Sequence, residues 1–232
     1  MSEPNVTVVT RKRTNVKNMT SMAMLTALAY VVMLLSKALP QVSGFLQMDL
    51  KDTIICIGGF VFGPLSAAII SIVVAVVEMF TYSDTGIIGC IMNVLATVSF
   101  CCTAAFVYKR LHTRKGAVIG LTLGVIALTV VMLLWNYLIT PIYMKIPREV
   151  VASMLPTVFL PFNLVKGGLN MAVILLLYKP VVTALRQAKL LPESTHSSGA
   201  ASSKKLNAGF LLFSLALLAT FVTLALVLMG II

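Results

Sequence analysis

The residues able to do chemistry in this 232-residue chain are few, and most of them interrupt apolar stretches. Glu78, Asn93, Asn136, Asn163 and Lys166 each lie within such a stretch, and Asp49 and Asp52 stand at the edge of another. A charge inside a membrane costs at least ~2.5–3.5 kcal/mol on insertion scales, so each charged position is a candidate functional residue. Asn163 and Lys166 are three apart, which puts them on one helix face. An Asn side chain offers donors and acceptors, and a Lys offers three donors. Together they suit a ligand with carbonyls and ring nitrogens. Plainer readings stand beside this one. Lys166 reaches outward to water or pairs with Glu78, and a Glu–Lys pair can itself line a pocket. Asn136 can equally bridge two helices. An enzyme acting at Glu78 is the weakest reading, because no second carboxylate, metal cluster or activated nucleophile accompanies it.

The elements that must position these groups follow from composition. The chain is 59% hydrophobic and only 11% charged, with a mean hydropathy of +1.01. A soluble domain carries about 25% charged residues, so there is too little polar surface here to cover a water-soluble core. Seven apolar segments are read, at about 19–39, 53–62, 65–80, 86–107, 117–140, 156–178 and 206–232. Most approach or exceed the roughly 20 residues that cross a bilayer as a helix. They are continuous rather than alternating, which argues against a transmembrane barrel. The second is too short to span alone, and Gly63-Pro64 ends it.

Orientation follows from the basic residues, which favour cytoplasmic loops. Arg11, Lys12, Arg13 and Lys17 precede the first segment, and Lys109, Arg110, Arg114 and Lys115 follow the fourth. Lys179, Arg186, Lys189, Lys204 and Lys205 lie between the sixth and the seventh. The alternate loops hold only Lys37, Lys51, Lys145 and Arg148. The N-terminus is therefore placed in the cytoplasm, and the polar residues above fall toward the outer face. The net charge of +11 is dispersed among these loops, so nucleic-acid binding is not expected and membrane lipid is. The four cysteines form no CxxC pair and read as small apolar residues. The organisation predicted is a cytoplasmic tail (1–18), a six-helix membrane domain (19–189), a Ser/Gly/Ala-rich linker (190–205) and one additional transmembrane helix (206–232).

Two further features bear on function. The loop PQVSGFLQMDLKD at 40–52 mixes apolar Phe45, Leu46 and Met48 with charged ends. It is either an ordinary interfacial loop or a lid over a ligand. Ala23 and Ala27 are four apart on the first segment, and small residues at that spacing let another helix approach closely. No Gly-Lys dipeptide occurs anywhere, so the ATP-binding loop that needs one is absent. If ATP drives the protein, another polypeptide hydrolyses it.

Taken in order, FLQMDLKD (45–52), GGFVFGP (58–64), Glu78, TGIIG (85–89) with Asn93, WNYLITPIY (135–143) and LPFNLVKGGLN (160–170) resemble one family. It is the riboflavin-binding S components of energy-coupling factor (ECF) vitamin transporters, and the resemblance covers about 19–189. It implies an all-α polytopic membrane bundle, here a six-helix core plus one C-terminal transmembrane helix. It implies an outward-facing pocket for riboflavin, carried as cargo and not as a cofactor. The candidate substrate-binding set is Phe45, Leu46, Met48, Glu78, Asn93, Asn136, Asn163 and Lys166. Ala23 and Ala27 match the family's AxxxA signature for docking on the transmembrane coupling subunit, which works with two ATPase subunits. Another vitamin, such as thiamine or pantothenate, or a stand-alone proton-coupled transporter using Glu78 and Lys166, is the alternative. Riboflavin suits the residues: it is uncharged, with a flat apolar ring system, a polar edge and a polyol tail. A pocket for a phosphorylated flavin is not evident, since Lys166 is the only membrane-embedded base expected.

Overall fold

The computed structural model describes residues 16–82, 85–187 and 208–231, and among these it contains helices and no strand. The helices are α1 (Val16–Ser36), α2 (Lys51–Phe62), α3 (Pro64–Thr81), α4 (Gly86–Leu111), α5 (Arg114–Met144), α6 (Arg148–Met154), α7 (Leu160–Gln187) and α8 (Ala208–Leu228). One wide π turn, Leu155–Phe159, joins α6 to α7. Six stretches are long and apolar enough to cross a membrane: α1, α3, α4, α5, the run from α6 through α7, and α8. The bundle's outer surface is apolar as well. Ile126, Val130 and Leu134 of α5, each about half exposed, form a stripe that lipid, not water, must cover.

The short second segment is the architectural centre. Twelve residues of helix cover about 18 Å, against an apolar slab roughly 30 Å thick. α2 can be this short because protein surrounds it. Every residue from Lys51 to Gly59 is buried, and α1, α3, α4 and α7 all pack on it. The loop 37–50 must therefore descend into the bundle to reach its first residue. At the other end, Gly63 takes φ +101°, a conformation that costs an L-residue strain. Pro64 then supplies the first turn of α3, where its missing N–H is no loss. α5 lies tightly on α4 at Gly120 and Gly124, where an added Cβ would stand 2.8 Å from Ala104 O and 2.7 Å from Phe100 O.

Several helices outrun the apolar windows. α4 continues through Lys109 and Arg110, and α7 continues past Pro180 to Gln187. Hydropathy marks only the part in lipid, whereas backbone hydrogen bonding carries the helix on into polar sequence. α1 likewise begins at Val16, inside the expected tail. The expected linker at 190–205 lies outside the described residues. α8 packs on α7.

Candidate ligand-binding site

The loop 37–50 builds one wall of the site. Ser43 (φ +53°) and Gly44 (φ +78°) both turn left-handed, as a tight reversal with two positive φ values demands. Val42 and Leu46 exchange backbone hydrogen bonds of 2.8 and 3.0 Å across the turn. Gln47 Nε2 donates to Ser36 O (3.0 Å) and Leu39 O (3.1 Å), tying the loop to the carbonyls at and just beyond the end of α1. Leu50 N donates to Ser36 Oγ at 3.2 Å. These bonds fix the loop so that Asp49, Lys51 and Asp52 enter the protein interior.

There they meet the charged residues of α3 and α7. Lys51 Nζ lies 2.7 Å from Glu78 Oε2, and Lys37 Nζ lies 3.1 Å from Glu78 Oε1. Asn93 Nδ2 donates to Glu78 Oε2 at 3.1 Å. Lys166 Nζ lies 2.8 Å from Asp49 Oδ2, which is 4.0 Å from Lys51. Lys166 therefore pairs with Asp49, and Glu78 with Lys51 and Lys37. Burial pushes the Asp49 carboxyl up, but the ammonium groups of Lys166 and Lys51 outweigh it and hold it at about 2. Below this layer Asn170 Nδ2 donates to Asp49 O (2.9 Å), and Thr53 Oγ1 donates to Asn170 Oδ1 (2.9 Å). Thr97 Oγ1 donates to Asp52 Oδ1 at 2.6 Å. Three lysines thus share two carboxylates, Glu78 and Asp49, while Asp52 meets Thr97. Asp49 Oδ1 and Asp52 Oδ2 are buried without a protein hydrogen bond.

Above this network is a cavity of about 440 Å³, within the roughly 300–1,000 Å³ of small-molecule sites. Phe45, Leu46, Glu78, Asn93, Asn136, Asn163 and Lys166 all line it. Met48 does not. It is 1% exposed and packs with Val42, Phe162 and Val165. Two buried amides are partly committed. Asn136 Nδ2 donates to Met132 O (2.7 Å) and its Oδ1 accepts from Thr140 (3.0 Å). Asn163 Nδ2 donates to Phe159 O at 2.7 Å, at the π turn. An amide offers two N–H donors and two acceptor lone pairs, so each keeps at least one of both for a ligand. Phe45 stands edge-on to Phe159 at 6.0 Å. A larger cavity of about 760 Å³ opens at the opposite end of the same helices, beside Tyr108, Arg114 and Phe210. It contains none of the ionised cluster.

Sequence reasoning missed Lys51 and the pairing of Asp49. The sequence places Lys51 among the outer-loop charges and leaves Lys166 as the sole embedded base, yet Lys51 is only 2% exposed. The overlooked signal is the shortness of the second segment. A helix too short to span, with Asp49, Lys51 and Asp52 at its start, has its charged end inside the bundle. For the same reason Glu78 does have carboxylates near it in space.

An apolar outer surface with a polar, ion-paired cavity defines a multi-pass membrane protein that holds a small solute. The comparisons narrow the class. The family described as ECF transporter, substrate-specific component matches residues 17–182. The riboflavin transporter FmnP of Bacillus subtilis (strain 168) is 29% identical over 187 residues, covering 75% of this chain and 98% of that protein. The riboflavin transporter RibU of Staphylococcus aureus (strain TCH60) is 28% identical over 178 residues, covering 74% and 93%. A solved S component of a bacterial ECF transporter superposes with a TM-score of 0.63 at 27% identity, covering 73% of this chain and 98% of its own. The chain belongs to the substrate-specific components of ECF transporters. It is a transport protein and not an enzyme.

Proposed function

We propose that this chain captures riboflavin in the cavity above the Asp49–Lys51–Glu78–Lys166 network. The carrying observation is that a loop, α3, α4, α5 and α7 converge polar groups on one cavity whose remaining walls are apolar. The flavin's polar edge pairs donors with acceptors, which the free sides of the Asn136 and Asn163 amides complement. Its ring system lies against Phe45, Leu46, Met132 and Phe162. The names of the two relatives support the same cargo. The basic loops support a cytoplasmic N-terminus, which opens this cavity outward.

Ala23 and Ala27 face away from the bundle, with exposed Met24 and Leu28 beside them. That small-residue strip is the proposed docking surface for the transmembrane coupling subunit, which joins two ATPase subunits. Purified full-length protein titrated with riboflavin should quench flavin fluorescence saturably at one site per chain. Protein that shows no saturable quenching would sink the reading, and saturation by thiamine or pantothenate instead would reassign the cargo.

A further inference from the structure

α8 lies beyond residues 17–182, which the family model matches, and its packing points to a task. Phe221 sits on α7 at Gly168, where an added Cβ would collide with the ring. Only glycine leaves that room. Seated there, the second half of α8 reaches the loop 37–50. Ala225, 5% exposed, joins Val42, Met48, Phe162 and Val165 in one apolar cluster, which Leu46 and Phe221 flank. Leu46 and Phe162 also line the cavity. One set of side chains is therefore both cavity wall and seat for α8.

We propose that α8 is an in-chain buttress that holds the loop against the bound ligand, with Phe221 and Ala225 as positioning residues that touch no ligand. The inference rests on the ligand reading above. On its α1 side the loop is tied by the Gln47 and Leu50 hydrogen bonds. On its α7 side the seat is apolar packing. Within a membrane such packing is van der Waals contact without a hydrophobic drive, so it depends on close fit. A loosened α8 leaves Leu46 and Met48 free to shift and opens the exit over the ligand.

The test is the rate of riboflavin release from the full chain. Phe221→Ala should speed release by roughly three- to tenfold, with association changed less. Phe221→Leu should restore much of the parent rate. Gly168→Ala, which drives the ring off α7, should match Phe221→Ala. The double variant should fall short of the product of the two effects, because the new methyl fills the vacated space. Ala225→Trp displaces the same end of α8 by bulk one turn beyond Phe221, leaving the Phe221 side chain itself unchanged, and should also speed release. Parent-like release, within twofold, from both Phe221→Ala and Ala225→Trp overturns the buttress, even if thermal stability falls. A parent protein that binds no riboflavin overturns the ligand reading and the buttress with it.

Discussion

Replacing Lys166 with Met should destabilise the protein, and acid should relieve part of the loss. Met keeps most of the side-chain volume but removes the ammonium 2.8 Å from Asp49. Asp49 then keeps only Lys51, at 4.0 Å, and its Oδ1 already lacks a protein partner. In the parent the Asp49 pKa is depressed from 3.8 to about 2. The stabilisation it contributes, about 2 kcal/mol, is fully present above pH ~4 and is lost as pH falls through about 2. Parent stability is therefore insensitive to Asp49 between pH 5 and 7. In Lys166→Met, burial dominates and the folded-state pKa rises above the unfolded value. Removing one partner of a buried pair costs roughly 3–5 kcal/mol. Asp49 can escape by taking up a proton, which at pH 7 costs about 4 kcal/mol, so the loss should be about 3–4 kcal/mol there. On acidification the variant should gain on the parent by up to about 1.4 kcal/mol per pH unit. Unfolding in one detergent at pH 5, 6 and 7 measures both. A gap that stays constant or widens toward pH 5 would falsify the assignment of Asp49 as the partner left behind. Asp49→Asn with Lys166→Met should regain most of the stability without regaining riboflavin binding.

The remaining expectations concern the amides and the α1 strip. Asn136→Ala and Asn163→Ala should each weaken riboflavin binding by roughly 10–100-fold, the loss of one or two hydrogen bonds in a desolvated site. Unchanged affinity in both, measured by flavin quenching, would remove these amides from the site. Ala23→Leu and Ala27→Leu add bulk to an exposed helix face, so binding to the purified chain should stay within about twofold. ATP-driven riboflavin uptake by membranes containing the whole transporter should fall at least tenfold; undiminished uptake would place the docking surface elsewhere.

Much of this architecture was legible because a membrane imposes a simple rule: apolar length makes a span, and a polar group within one needs a reason. Glu78, Asn136, Asn163 and Lys166 stood out on that rule, and the structure brings all four to one cavity. The rule fails for residues at the edge of a segment, since it reads a boundary as the water interface. Lys51 and Asp49 sit at such a boundary, yet they lie deep, because α2 starts inside the bundle. Met48 was illegible for a different reason. A loop segment has no fixed period, so sequence could not tell that Phe45 and Leu46 line the cavity while Met48 is buried in the apolar cluster with Val42 and Val165. The seat of Phe221 on Gly168 was invisible, because it depends on how α8 and α7 meet across a chain separation of 53 residues.

The ion pairing of the site argues for what it can hold. Each of Lys37, Lys51 and Lys166 has a carboxylate within 3.1 Å, Lys37 and Lys51 sharing Glu78, so the site presents no unpaired ammonium. An anionic ligand drawn to Lys166 would have to take it from Asp49, leaving that carboxylate buried with only Lys51 at 4.0 Å, at a cost of several kcal/mol. A neutral ligand asks for no such exchange. It can accept from an already paired ammonium and use the spare sides of Asn136 and Asn163, while the ion pairs stay closed beneath it. That arrangement fits an uncharged vitamin better than its phosphate ester. It also gives the buried ions a structural reason to exist: they fix the start of α2, and with it the floor on which the ligand rests.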